Sequence, residues 1–140
     1  MNKFAKKGCV RFLLLTCSLL VLSACATNRG AETSVEKRVT ERWDLLLGGD
    51  LAGAYSYLSP AYRSSVSSIQ YQRSILLKRV KWTDATHVSS DCIENTCKVK
   101  ISLGYALYGA VPGVKEFNGK QTVTESWVLV NDVWYLVPKD

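Results

Sequence analysis

The order of patterns along the chain predicts an α+β domain, with N-terminal helices packed on a curved antiparallel sheet of about four strands. Three observations carry this. Up to about residue 77 the apolar residues recur at helical spacing. From Val80 onward they alternate with polar residues, most cleanly at 97–107, where the odd positions are apolar. Turn signals, a Gly-Pro-Gly cluster at 109–113 and Asn131-Asp132, separate the later segments.

Thr33-Ser34-Val35-Glu36 reads as a helix start, with Thr33 as cap and Glu36 reaching back. Val35, Val39, Trp43, Leu46 and Leu47 then make one apolar stripe, and Gly48-Gly49 stops the helix. Asp50 caps a second helix whose buried face is Leu51, Ala54, Tyr55 and Leu58. Ser59-Pro60 starts a short third one at 61–66 as cap and first-turn proline. A fourth is expected at 68–77 with Ile69, Ile75 and Leu76 inward, joined by Tyr71. Strand patterns follow at 80–82, 86–89 and 97–107. A loop at 109–113 precedes a strand extension at 114–117 and a long strand at 121–130. Asn131-Asp132 turns the chain into 133–137, and Pro138 ends it.

Ahead of this domain stands an export signal. Lys3, Lys6, Lys7 and Arg11 form a positive start, and residues 12–22 an apolar run of 11, against the roughly 20 that a spanning helix needs. Leu22-Ser23-Ala24-Cys25 closes it and resembles the lipobox of bacterial lipoproteins. The alternative is an ordinary secretory signal with a chance cysteine. The resemblance implies a signal peptide at 1–24, a flexible tether at 25–32 and a folded domain at 33–140. It also implies a diacylglycerol thioether on Cys25, a third, palmitate-type acyl chain on its freed amine, and stable attachment through two or more chains. Ala26, where an Asp would retain the protein at the inner membrane, resembles sorting to the outer membrane, facing the periplasm.

With the signal removed, the remaining 116 residues suit one domain with one core. Of 18 Lys plus Arg, four lie in the signal, which leaves 14 against 12 acids. The basic isoelectric point is therefore largely a property of the export segment, and no nucleic-acid partner is expected. Of five cysteines, Cys9 and Cys17 leave with the signal and Cys25 is acylated. Cys92 and Cys97 remain as a pair in an oxidising compartment, four residues apart between two strand patterns, and are expected to form a disulfide. A zinc site would need further ligands, and His87 is the one histidine. No metal or other cofactor is expected.

The stretch Glu41-Arg42-Trp43-Asp44-Leu45-Leu46-Leu47-Gly48-Gly49-Asp50-Leu51-Ala52-Gly53-Ala54-Tyr55-Ser56-Tyr57-Leu58-Ser59-Pro60 resembles the opening of nuclear transport factor 2-like domains. These are the cystatin-like cone also called SnoaL-like. Trp127 and Val133-Trp134-Tyr135-Leu136-Val137-Pro138 resemble their last strands. The resemblance covers about residues 33–138 and implies a cone with an apolar pocket between sheet and helices. The family includes isomerases, cyclases and dehydratases beside many non-catalytic modules, so it specifies fold better than activity.

Candidate residues follow. Trp43, Tyr55, Tyr105 and Trp127 are the candidate pocket aromatics, although rings in a domain of this size also serve as core. Glu125 shares strand parity with Val123, Trp127 and Leu129, so it faces the cone if Thr122, Thr124 and Ser126 face water. It is the one candidate for a catalytic base, with Tyr55 or Tyr105 as possible hydrogen-bond partners, but no Asp or His stands at a supporting spacing. His87 reads as a surface or hydrogen-bonded strand residue. Lys78, Arg79, Lys81, Lys98 and Lys100 are a local basic excess that reads as solvated positions or, if on one face, as a contact for anionic lipid or wall carboxylates. The expected function is a membrane-anchored module that binds a small apolar ligand or an envelope protein without catalysis. The alternatives are an isomerase- or dehydratase-type enzyme using Glu125, and a structural accessory subunit dimerising through its sheet.

Overall fold

The computed structural model describes residues 29–78 and 80–139. The expected export signal, the expected acylation site Cys25 and Arg79 lie outside the described residues. The architecture within them is the expected α+β arrangement, helices first and then an antiparallel sheet.

Helix α1 (Arg29–Leu47) begins ahead of Thr33, so residues 29–32 of the expected tether are helical and Thr33 is not a cap. Val35, Val39, Trp43 and Leu46 are buried along one face. Leu47 is not, at 37 % exposed, and Arg42 is, at 6 %. At 3.6 residues per turn, positions 35, 39, 42, 43 and 46 fall within an arc of about 100°, and 47 lies outside it. Gly49 ends the helix at φ +83°, with Asp50 N–H donating to Leu45 O (2.8 Å) and Gly49 N–H to Leu46 O (3.2 Å).

Asp50 caps α2 (Leu51–Tyr55) by accepting from Gly53 N–H at 2.8 Å, as expected. Ser59 and Pro60 open α3 (Pro60–Ser65) in the expected roles. Between these two helices the chain touches the sheet: Leu136 N–H donates to Tyr57 O and Ser59 N–H to Leu136 O, both at 2.8 Å. Helix α4 (Ser68–Leu76) starts with a capping box between Ser67 and Gln70. Its buried residue is Tyr71, whose ring lies 5.7 Å from that of Tyr55, with Ile75 packed at the core edge. Ile69 and Leu76 are not inward; they are 75 % and 74 % exposed. The Tyr71–Ile75 line is the side that meets the domain, and Ile69 and Leu76 fall on the other.

The sheet is a meander of β1 (Val80–Ile93), β2 (Thr96–Val111), β3 (Val114–Val130) and β4 (Val133–Val137), each antiparallel to the next. Its strands are longer than the alternation suggested. Residues 83–85 and 118–120 continue β1 and β3, and of the expected 109–113 loop only Pro112-Gly113 forms the turn. Ladder hydrogen bonds need backbone, not apolar side chains, so the ladder passes through these polar and glycine positions. Register breaks at Trp82/Asp84 and His87/Ser89 make β1 bulged. Asn131 and Asp132 both have positive φ (50° and 61°), the two-residue hairpin turn that the sequence signalled.

Cys97, Val99, Ile101 and Leu103 of β2, with Trp127, Trp134, Leu136 and Leu58, form the core against α1. The outer face of the central strands carries exposed Lys98, Lys100, Thr122 and Thr124.

Cys92 and Cys97 are directly opposed in the β1–β2 register, with Cα atoms 4.0 Å apart and the sulfurs at bonding distance. The connecting loop is Glu94-Asn95, since Ile93 already pairs with Thr96. Because the hairpin brings the cysteines together by itself, closing so small a ring should add only about 2 kcal/mol. Protein isolated without reductant should therefore carry this pair oxidised, and reduction should lower urea stability by about that amount with the fold retained. Full alkylation of both thiols without reductant would show otherwise.

Candidate functional site

Strand β4 is five residues long and β3 seventeen. Their pairing ends at Ser126 and Val137, so β3 has no β4 partner on that side before Ser126. Pro138 follows and lacks an N–H with which to continue the ladder. A cavity of about 610 Å³ opens there, between the end of α1, α4, the start of β1 and the unpaired stretch of β3. Its apolar wall includes Trp43, Leu58, Trp82, Leu103, Val123 and Leu136, and Lys78 and Lys139 are exposed residues on its lining.

Glu125 lies on the wall of this cavity, facing inward as its strand parity predicted. It has three N–H donors. Arg42 Nη1 (3.0 Å) and Trp43 Nε1 (3.1 Å) reach Oε1, and Trp127 Nε1 (3.0 Å) reaches Oε2. The Arg42 and Glu125 side chains are 7 % and 11 % exposed. The helix thus delivers two adjacent donors, Arg42 and Trp43, to one carboxylate on β3, while Trp127 donates from two residues along the same strand. Three of the roughly four acceptor positions of the Glu125 carboxylate are thus taken, two on Oε1 and one on Oε2. Neither Tyr55 nor Tyr105 reaches it.

The four candidate aromatics divide. Trp43 lines the cavity and meets Trp82 edge-on, with centroids 5.4 Å apart and planes at 89°. Trp127 is fully buried and belongs to the core and to the Glu125 network. Tyr55 is structural: its hydroxyl donates to Val66 O (2.7 Å), pinning the end of α3. Tyr105 is also outside the cavity lining. Its ring covers Gly119 on the neighbouring strand, where an added Cβ would stand 2.6 Å from Cζ and Oη. Among the cavity residues that sequence reasoning did not single out for the pocket are Arg42, Trp82 and Tyr71. A sequence signal for Arg42 existed, because it stands within the apolar stripe of α1.

The guanidinium of Arg42 is incompletely partnered. Beyond Glu125 it reaches Tyr71 Oη at 3.5 Å from Nη2, and its buried Nε has no hydrogen-bond partner among the described residues. His87 is a hydrogen-bonded strand residue, 2.8 Å from Ser90 Oγ and 3.4 Å from Glu36 Oε1. On the far side of α1 Tyr57 donates to Glu41 at 3.1 Å. Burial, and then that hydrogen bond, raise its phenol above the usual tyrosine range. Among the described residues no three His, Cys, Asp or Glu side chains converge in a way that could hold a metal ion.

Neither a protein-family model nor a curated protein matches the chain. Among solved structures it is similar to a SEC-C motif-containing protein from Rhodopseudomonas palustris, with a TM-score of 0.59 at 10 % identity over 76 % of this chain and 77 % of that one. At that identity the likeness is one of fold alone.

Removing one partner of a buried ion pair leaves the other charge uncompensated, which costs about 3–5 kcal/mol. Arg42→Met and Glu125→Leu should each lower unfolding stability by that order. The double variant should be clearly less damaged than the sum of the two, since it buries no orphan charge. Urea denaturation of the four proteins tests this, and strictly additive losses would refute the coupling.

Proposed function

We propose that this protein is a lipid-anchored component of the bacterial envelope whose nuclear transport factor 2-like domain binds a small, mainly apolar ligand without transforming it. The observation that carries the binding reading is the cavity: about 610 Å³, walled by two tryptophans and aliphatic side chains, with its buried carboxylate matched by a buried guanidinium. Such a floor presents little net charge to an entering apolar body. The ion pair and the two indole N–H groups that hold Glu125 as a structural carboxylate favour binding over acid–base chemistry, and the polar outer sheet face weighs against an accessory subunit that dimerises through it. The lipobox at 22–25 and the short apolar run before it support the anchor.

Trp43 and Trp82 sit on the cavity wall and are suited to report occupancy by energy transfer to a bound fluorophore. Titration of the full chain with 1-aminoanthracene should give a saturable, one-to-one signal. Val123→Phe, which fills the cavity, should weaken it by about tenfold with the circular dichroism spectrum unchanged, the scale expected when about 1.4 kcal/mol of contact is lost. Non-saturating uptake that is the same in both proteins would overturn the ligand reading. Turnover of a screened substrate that vanishes in Glu125→Gln would replace it with the enzyme reading.

The anchor has its own test. Intact mass of membrane-extracted protein should correspond to a chain starting at Cys25 and carrying acyl groups, and Cys25→Ser should leave the precursor uncleaved. A mature chain starting at Cys25 without acyl mass would sink the anchor.

A further inference from the structure

Helix α4 buries one side and leaves the other uncovered. Ile69, Leu76 and Leu77 are 75 %, 74 % and 75 % exposed. With exposed Arg73 they stand at positions i, i+4, i+7 and i+8, a single stripe on the solvent side of the helix. Exposed apolar residues scattered singly are ordinary, but three large ones aligned on a helix of nine residues and its cap form a patch that something should cover.

Charge identifies the partner. Residues 60–83 contain five bases, Arg63, Arg73, Lys78, Arg79 and Lys81, and no acid. Residues 29–140 as a whole have 14 bases against 12 acids, so everything outside that stretch holds nine bases against twelve acids. The small net charge of the domain therefore conceals a polarity, basic at α4 and acidic elsewhere. Arg63 is engaged within the fold, donating to Leu58 O at 3.0 Å. Arg73, Lys78 and Lys81 are exposed, and among the described residues none of them makes an ion pair. Apolar side chains with Arg73 in their own stripe, on a stretch of chain that carries bases and no acid, match the acyl boundary and head groups of an anionic bilayer.

We propose that the outer face of α4, through Ile69, Leu76 and Leu77 with Arg73, Lys78 and Lys81 around them, docks on an anionic membrane surface. The proposal takes from the anchor reading only the nearness of a bilayer. Trp43 of α1 packs on Trp82 at the start of β1, close after α4, and stands 14 residues from Arg29. At about 1.5 Å per residue this places the α4 contact about 21 Å along α1 from the end nearer Cys25. Two contacts so far apart would lay α1 along the membrane and fix the orientation of the domain, which a tether alone does not.

The full chain is mixed with vesicles of phosphatidylcholine alone or with added phosphatidylglycerol, and amide hydrogen exchange is followed across residues 69–78. Exchange should slow about tenfold on the anionic vesicles relative to the neutral ones, and high salt should reverse the difference. Leu76→Ser/Leu77→Ser, at positions that face solvent, should abolish it with the fold intact. Equal exchange on both vesicle types, or protection that survives the double substitution, overturns the proposal. Acyl mass is read on the same sample, so loss of the anchor and loss of docking are separate results.

Discussion

Bringing a carboxylate into the space between helices and sheet costs several kcal/mol unless donors await it, and Glu125 meets three. Two of them come from consecutive residues of α1, so the pair fixes both the rotation of that helix and its axial position over β3. Sliding α1 by one residue would carry Arg42 and Trp43 past the carboxylate and leave a buried charge unmatched. Apolar packing by Val35, Val39 and Leu46 favours contact but tolerates small shifts; the charged pair with its two indoles does not. The same contacts explain why an inward carboxylate need not be catalytic. Its geometry is that of a structural ion pair at the edge of a cavity.

The cavity is a consequence of unequal strands. β3 runs on past the end of β4, so the helices have no fourth strand to pack against beside Glu125. The bridge of Leu58 to Leu136 holds β4 in place, and beyond Val137 the chain end, with Pro138 and Lys139, lines the cavity without continuing the ladder. A longer β4 would complete the sheet and shut the space. The opening is therefore set by backbone pairing rather than by a single removable side chain, which lets the lining vary without closing it.

Much of this was legible because it rests on local rules. Helical spacing, the Gly48-Gly49 stop, the Asp50 and Ser59 caps, the alternation of β2 and the Asn131-Asp132 turn each depend on residues close in sequence. What escaped was decided across the fold. The place of Arg42 within the apolar stripe of α1 hints at burial, but its partner is a carboxylate 83 positions away that only the fold places opposite it. The two bulges of β1 move its inward side from Trp82 to Ala85 and from His87 to Ser90, so simple alternation loses its parity there. Tyr105 has the parity of a pocket residue, but its ring is spent covering Gly119, a pairing that depends on the β2–β3 register. Ile69 and Leu76 have the spacing of a buried face, and periodicity alone does not say whether a face meets the domain or something beyond it.

That last ambiguity bears on how anchor and cavity relate. The helical start at Arg29 leaves four residue steps from Cys25, at most about 14 Å when extended, where a tether to residue 32 would have reached about 25 Å. With the proposed anchor on Cys25, a domain held that close would sample few orientations, and even weak side-chain contact with the surface would select among them, because the effective concentration of the surface would be high. Within α4 the two sides are therefore distinct: Tyr71 and Ile75 belong to the cavity wall, while Leu76 and Leu77 turn outward on the opposite side of the helix, so burial there is decided by what the domain packs against and not by periodicity.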